Sequence, residues 1–375
     1  MRLQALKLDA EDRAALGLWA GAHFALLVVA WAAARASRNP REHRPLTRTF
    51  EHWDAVLLHN IAQYGYYGPH TIANNTAFFP GYPAVLAACH LLVRNWVVAE
   101  LVVSGVAGCV AVVALTRLAG GAKPVLYLLA APAAVFLMVG YAEALFLALA
   151  IPAWRAAARG RWWSAALLAG LAGLIRIDAV FLIPALMVMA LSGYRGPRIW
   201  PPPASTIGRR LANAAKVASA AAGPGAYEIY LWVSTGNPFA WQAALRHGWD
   251  IHLASPVHDL RTTWWAAFRH VFSASVAFEF QLELATLVVM VAATIGFAVC
   301  KRWPEATYCG LALISLGTSV WFETGPRTVL VLFPLWIGFA ALGTRRRWAQ
   351  YAYFGVSGPV AVVLAMLYLS GQWAG

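Results

Sequence analysis

Charged residues are scarce in this 375-residue chain: they make up 12% of it, and only four are lysine against 25 arginines. A soluble domain carries roughly twice that share, so a soluble fold is excluded as the body of the protein. The four cysteines, Cys89, Cys109, Cys300 and Cys309, lie in or beside apolar segments. They lack C-x-x-C spacing and a histidine at metal-ligand distance, which argues against a zinc module or a redox pair and leaves them as packing residues. No D-x-D motif or Rossmann-like half is present, which argues against a soluble nucleotide-sugar enzyme. Segments of about ten alternating residues are also missing, excluding a membrane barrel. No inverted repeat of the kind carried by many transporters can be found.

What is abundant is apolar: 61% of the residues are hydrophobic, 18 are tryptophan, and the mean hydropathy is +0.60. An apolar run of about 20 residues spans a bilayer, so the expected fold class is all-α, a polytopic membrane protein forming one domain over residues 1–375. Eleven spans are expected, near 15–35, 96–118, 123–140, 141–158, 162–177, 178–193, 213–234, 281–300, 304–322, 327–343 and 349–370. The first apolar run, Leu16 to Ala34, is long enough to span and has no clear cleavage site after it, so it reads as a signal anchor.

Threading eleven spans with the N-terminus inside puts 18 of the Lys/Arg residues on the cytoplasmic side and 11 outside, five of the latter being Arg35, Arg38, Arg41, Arg44 and Arg48. This orientation places the protein in the cytoplasmic membrane. The net charge of +13 is thereby explained by short loop clusters and implies no nucleic-acid partner. The preference for arginine and alanine is that of a GC-rich, bacterial coding bias. Of the 16 acidic residues, only Asp9, Glu11, Asp12 and Glu305 fall inside. Ionisable groups near a membrane mark cavities and pathways, so the outer face is where chemistry is expected.

Two long segments lie on that face, residues 36–95 and 236–280. Within the first, Trp53, Val56, Leu57, Asn60, Ile61 and Tyr64 recur at helical spacing, predicting a short interfacial helix. Residues 80–93, opened by two prolines, predict a second juxtamembrane helix. Asp54 stands at the start of the first, where an aspartate either caps a helix or serves as a general base at the rim of the membrane. Glu143, in an apolar run beside Tyr141, has little reason to be there unless it is paired or lines a cavity, and pairing with an arginine is one expectation. Glu279 and Glu283 are expected to share one face toward water or an arginine. His59 is read as one polar face of the interfacial helix.

The segments WDAVLLHNIAQYGYY (53–67) and AFFPGYP (77–83) resemble the first-loop signature of the PIG-V type of GPI mannosyltransferase, in the GT-C superfamily of membrane glycosyltransferases. GYAEALFLALAI (140–151), GLIRIDAVFLIPAL (173–186), TGNPFAWQAALRHGW (235–249) and GPRTVLVLFPLW (325–336) are similar to further segments of that family, in the same order. The chain departs from the pattern at Ala142, Ala144, Asn237 and Asp178.

The resemblance implies a GT-C-like fold and inverting transfer of mannose from polyprenyl-phosphate-mannose to an extracytoplasmic glycolipid, protein or wall polymer. It implies Asp54 as the base, with Arg327 and Arg176 on the donor phosphate. Trp53, His52, Glu143, Tyr141, Phe79, Tyr82 and Gln242 are the expected substrate contacts. The aromatic residues of this set could equally form an interfacial belt, and the arginines could snorkel to head groups. No cofactor beyond the donor substrate is called for, no metal ligands are assigned, and dependence on a divalent metal is left open. The competing reading is a transporter or flippase for a lipid-linked saccharide.

Overall fold

The computed structural model describes residues 8–36, 46–193, 206–322 and 324–373, and no strand occurs among them. Arg38, Arg41 and Arg44 of the first loop, and the basic segment 194–205, lie outside the described residues. The chain opens with α1 (Ala10–Ala36), followed by the first-loop helices α2 (Asp54–Tyr64) and α3 (Gly81–His90). Next come α4 (Trp96–Ala119), α5 (Lys123–Leu129), α6 (Glu143–Ala158), α7 (Trp162–Gly173) and α8 (Ala179–Ser192). Helix α9 (Ile207–Ala218) runs through a 3-10 turn into α10 (Ala222–Thr235). The segment 236–280 carries α11 (Ala240–Trp249) and α12 (Pro256–Phe268). The C-terminal part consists of α13 (Ala274–Val299), α14 (Trp303–Leu316), α15 (Gly325–Val331), α16 (Phe333–Arg345) and α17 (Arg347–Leu369).

Four of these helices, α1, α4, α13 and α17, are long and apolar enough to cross a membrane, and α15 with α16 makes a fifth candidate bent by 81°. The chain is an integral membrane protein, but the expected eleven uninterrupted spans are not what the described residues form. Residues 123–140 break after α5 into a turn and a short 3-10 segment, Ala134–Leu137, because Pro132 disfavours helical backbone before it. The run 327–343 breaks at Leu332, two residues before Pro334, which has no N–H to give and crowds the preceding turn. Helices α7 and α8 are apolar but only 12 and 14 residues long.

Helix α1 packs on α4 and α17, α6 lies between α4 and α7, and α8 meets α14, which also contacts α13. The α1–α4 contact depends on a small residue. The ring of Trp19 packs directly against Gly108, and its indole N–H donates to the Gly105 carbonyl at 3.1 Å. A Cβ at Gly108 would run into the ring, whereas one at Gly105 meets open space. Gly108→Ala is therefore expected to destabilise the protein by about 1–3 kcal/mol, an overpacking cost. A thermal midpoint series with Gly105→Ala as the harmless comparison checks this.

The two ends of the bundle are distinct. At one, Arg117 at the end of α4 grips Asp12 at the start of α1, Nη2 to Oδ2 at 2.7 Å, so these helices run antiparallel. At the other lie α2, α3 and the starts of α6 and α15. There the Gly81 N–H donates to the Leu174 carbonyl at 2.7 Å, and a side chain at Gly81 would collide with Leu174 and Ile175, so α3 is seated tightly on the end of α7.

Helix α2 buries Ala55, Leu58 and Ile61. Its inward face is thus rotated from the predicted stripe, and Trp53, Val56 and Leu57 are left to line a cavity. In the segment 236–280, Asp259 of α12 is fully covered, and burial pushes its carboxyl above the ordinary aspartate range. A raised folded value favours the protonated form, so this contribution to stability is present in acid and lost as pH rises through the folded value. Asp259→Asn is expected to raise the thermal midpoint at about pH 7.5 and to lose that advantage near about pH 4, where the free carboxyl is itself half protonated.

Candidate active site

At the α2–α3 end of the bundle, charged side chains from four separate stretches converge. Arg327, two residues into α15, donates from Nη1 to Asp54 Oδ2 at 2.7 Å and from Nε to Glu143 Oε1 at 3.0 Å, with Nη2 2.9 Å from the same glutamate oxygen. Arg176, in the turn between α7 and α8, donates from Nη1 to Glu143 Oε1 at 2.7 Å and from Nε to Asp178 Oδ2 at 2.8 Å. Glu143 is fully buried and Arg327 is 6% exposed, so neither arginine is a surface residue reaching for head groups. One glutamate oxygen collects both guanidinium groups, while its other oxygen is covered and without a partner.

Local structure explains how each group is placed. Trp53 takes a left-handed backbone conformation, φ 56°, immediately before α2, and its indole N–H is tied to the Gln372 carbonyl at 3.1 Å. Such a conformation costs a non-glycine residue on the order of 1–3 kcal/mol, and it starts the helix at Asp54. Asp54 does not cap α2; its carboxylate is turned to Arg327 instead. Glu143 is the first residue of α6, where a carboxylate meets the positive end of the helix. The Arg327 guanidinium lies 4.7 Å above the Tyr141 ring and 5.1 Å above that of Phe136, an aromatic shelf that favours a cation. Behind it, the Gly325 N–H donates to both Glu283 oxygens, at 3.1 and 2.9 Å, fixing the start of α15. Glu279 and Glu283 are both buried, so of the expected alternatives, water or an arginine, the face toward water is the one that burial removes.

Asp54, Arg176, Asp178 and Arg327 line one side of a cavity of about 590 Å³. Its other walls are mostly apolar or aromatic, among them Trp53, Phe79, Phe181, Trp241 and Trp249, with Ser315, Ser319, Thr324 and Thr328 adding hydroxyls. The segment before α3 and helix α11 separate it from a second, more polar cavity of about 540 Å³ lined by Tyr66, Tyr67, Asn74, Asn75, Asn237 and His247. Asn60 pins this part of the first loop, donating to the His70 carbonyl at 2.9 Å and accepting from Ile72 N–H and the Asn75 amide at 3.0 and 2.8 Å. The Trp241 indole N–H donates to the Ala77 carbonyl at 3.0 Å, joining α11 to the same segment.

The predicted residues therefore divide. Asp54, Arg327, Arg176, Glu143, Trp53 and Phe79 meet at or beside the larger cavity, and Tyr141 underlies Arg327. Three others do not line it. Gln242 is exposed on α11 with Trp241 and Trp249 turned inward in its place, because helical spacing puts residue 242 on the opposite face. His52 packs edge-on against Tyr368 at 5.7 Å, and Tyr82 is completely buried on the inner face of α3. Asp178 and Glu283 complete the polar framework and were not assigned to it from sequence.

No family model and no curated protein matches the chain. Among solved structures, it is similar to the apo oligosaccharyltransferase of Archaeoglobus fulgidus, with 13% identity and a TM-score of 0.40 over 94% of this chain and 56% of that one. The same enzyme tethered to an acceptor peptide containing the NVT sequon gives 12% identity and a TM-score of 0.36 over the same shares. This chain thus spans 56% of the length of those structures, and a likeness of that size fixes neither fold nor activity.

Proposed function

We propose that the protein is a GT-C-like membrane glycosyltransferase, related to the PIG-V type, that transfers mannose from polyprenyl-phosphate-mannose to an acceptor on the extracytoplasmic face of the cytoplasmic membrane. The observation that carries the reading is the Asp54–Arg327–Glu143–Arg176 chain of ion pairs beside a cavity whose remaining walls are mostly apolar and aromatic. A prenyl-linked sugar phosphate asks for that combination: greasy walls for the chain, aromatic faces for the sugar, and guanidinium groups for the phosphate.

Three carboxylates and two guanidiniums leave this cluster with an excess negative charge. A phosphodiester entering it must draw Arg327 from Asp54, and the exchange frees the Asp54 carboxylate at the moment the donor is in place. Asp54 then takes the proton of the acceptor hydroxyl as its oxygen bonds to the anomeric carbon. The bond from that carbon to the phosphate oxygen breaks on the opposite face, inverting the centre. Polyprenyl phosphate leaves as a stable anion held by Arg327 and Arg176, so no general acid is required. The neighbouring polar cavity offers amide and hydroxyl groups to an acceptor. The transfer step itself uses no metal in this scheme.

The test is transfer of radiolabelled mannose from polyprenyl-phosphate-mannose into membrane extract by the purified protein, beside Asp54→Asn. Labelling by the wild type alone supports the reading and tags the acceptor. Equal labelling removes Asp54 as the base. A protein that only moves a lipid-linked sugar across the bilayer would label nothing with either.

A further inference from the structure

On the other side of α2 from the cavity, a second polar group is built from residues that the transfer scheme does not use. One ligand atom each from Glu51, His59 and Glu100 lies within 4.8 Å of the others. Glu100, one turn into α4, is fully buried, and neither of its carboxylate oxygens has a hydrogen-bond partner. The backbone at Gly140 closes directly on that carboxylate, so that even a methyl group there would strike it. His59 Nε2 is likewise covered and unpartnered, while Nδ1 is 2.6 Å from Glu51 Oε1. The imidazole leans on the Trp96 ring, 4.8 Å away, which limits its rotation.

Two carboxylates and one imidazole, largely out of water, carry a charge that nothing buried beside them balances. Arg48, which also acts on Glu51, is exposed. An uncompensated buried carboxylate is among the costliest features a fold can hold, and Glu100 has not even a neutral donor. A single divalent cation cancels both charges and uses the orphaned oxygens and nitrogen as ligands.

We infer that Glu51, His59 and Glu100 bind one divalent transition ion of borderline softness, with Zn²⁺ the representative. Nitrogen and oxygen ligands about 2.0–2.2 Å from Zn²⁺ sit up to roughly 4 Å apart, so only a modest closure of these side chains is needed. One imidazole with two carboxylates favours zinc or manganese over magnesium, and three protein ligands leave a fourth position for water. Glu51 and His59 are partly exposed, which supplies the entry path. The ion would staple the start of α2, and with it Asp54, to α4. It positions the site and does not touch the reacting atoms, and the inference stands independently of the transfer reading.

The full-length protein, stripped with chelator, equilibrated separately with Zn²⁺, Mn²⁺ or Mg²⁺ and desalted, is assayed for retained metal by mass spectrometry and for its thermal midpoint. The wild type is expected to keep about one equivalent of Zn²⁺ and to melt higher with it, with a weaker response to Mn²⁺ and least to Mg²⁺. Glu100→Gln, which removes buried charge without changing shape, should bind at least tenfold more weakly and ignore added zinc, whereas Asp54→Asn should bind normally. His59→Gln carries the same test if the first variant does not fold. Zinc-edge absorption of the wild type needs no variant and should show only nitrogen and oxygen ligands, one of them imidazole. Zinc retention equal in wild type and Glu100→Gln, or no retention in the wild type, would overturn the site and leave Glu100 holding a proton.

Discussion

Replacing Arg327 by methionine is expected to destabilise the protein by about 3–5 kcal/mol, the usual cost of removing one member of a buried ion pair. The size follows from what remains. Asp54 would lose its ion-pair partner, and Glu143 and Asp178 would share one guanidinium, that of Arg176, in a region where Glu143 has no access to water. Methionine keeps most of the volume over the Tyr141 and Phe136 rings, so the loss reports charge more than packing. Adding Asp54→Asn to this variant removes one stranded carboxylate and should recover a part of the stability. A double-mutant cycle read from thermal or denaturant midpoints measures the coupling, and contacting charges usually couple by about 0.5–3 kcal/mol. Additive effects would mean that the two side chains do not meet in the folded protein.

On the proposed reading, Asp54→Asn alone is expected to lower the turnover of mannose transfer by about 10²–10⁴-fold, the range for a lost general base. The fold should survive, because Arg327 keeps Glu143 as its partner and the cluster moves toward neutrality. The kinetic split is informative. Removing a negative charge next to the phosphate site should leave the donor KM unchanged or lower it, so the defect falls on kcat. Arg327→Lys should do the reverse, since an ammonium cannot reach Asp54 and Glu143 together in the forked geometry of a guanidinium, and the donor KM should rise. If Asp54→Asn instead raised KM at constant kcat, the aspartate would be a binding residue.

The individual members of this cluster could be recognised in the chain as charges stranded among apolar residues, since burying such a group demands a partner. Which partner was not legible. Arg327 is 273 residues from Asp54 and 184 from Glu143, and no local pattern encodes a contact over that distance. The boundaries of α4 and α17 follow closely from apolar length and the ends of α1 and α13 do too, though those two helices begin several residues before their apolar runs, whereas proline divided 123–140 and 327–343 in ways that mean hydropathy ignores. Gln242 was misplaced because composition says which residues belong to a loop but not which side of a helix faces inward. Glu100 carried a visible signal, a carboxylate one turn inside a spanning helix, but its neighbours come from a different segment and only folding brings Glu51 and His59 to it.

The contacts between Trp53 and Gln372, and between the Tyr368 hydroxyl and the Phe50 carbonyl at 2.8 Å, have a bearing on biosynthesis. They link residues more than 300 positions apart, and Trp373 forms part of the cavity wall. A chain that leaves the ribosome N-terminus first exposes its first loop long before α15 and α17 exist. Until α15 is made Asp54 lacks Arg327, and until the residues after α17 are made the backbone strained at Trp53 lacks its tether. The geometry of the first loop is therefore completed only by segments synthesised some hundreds of residues after it.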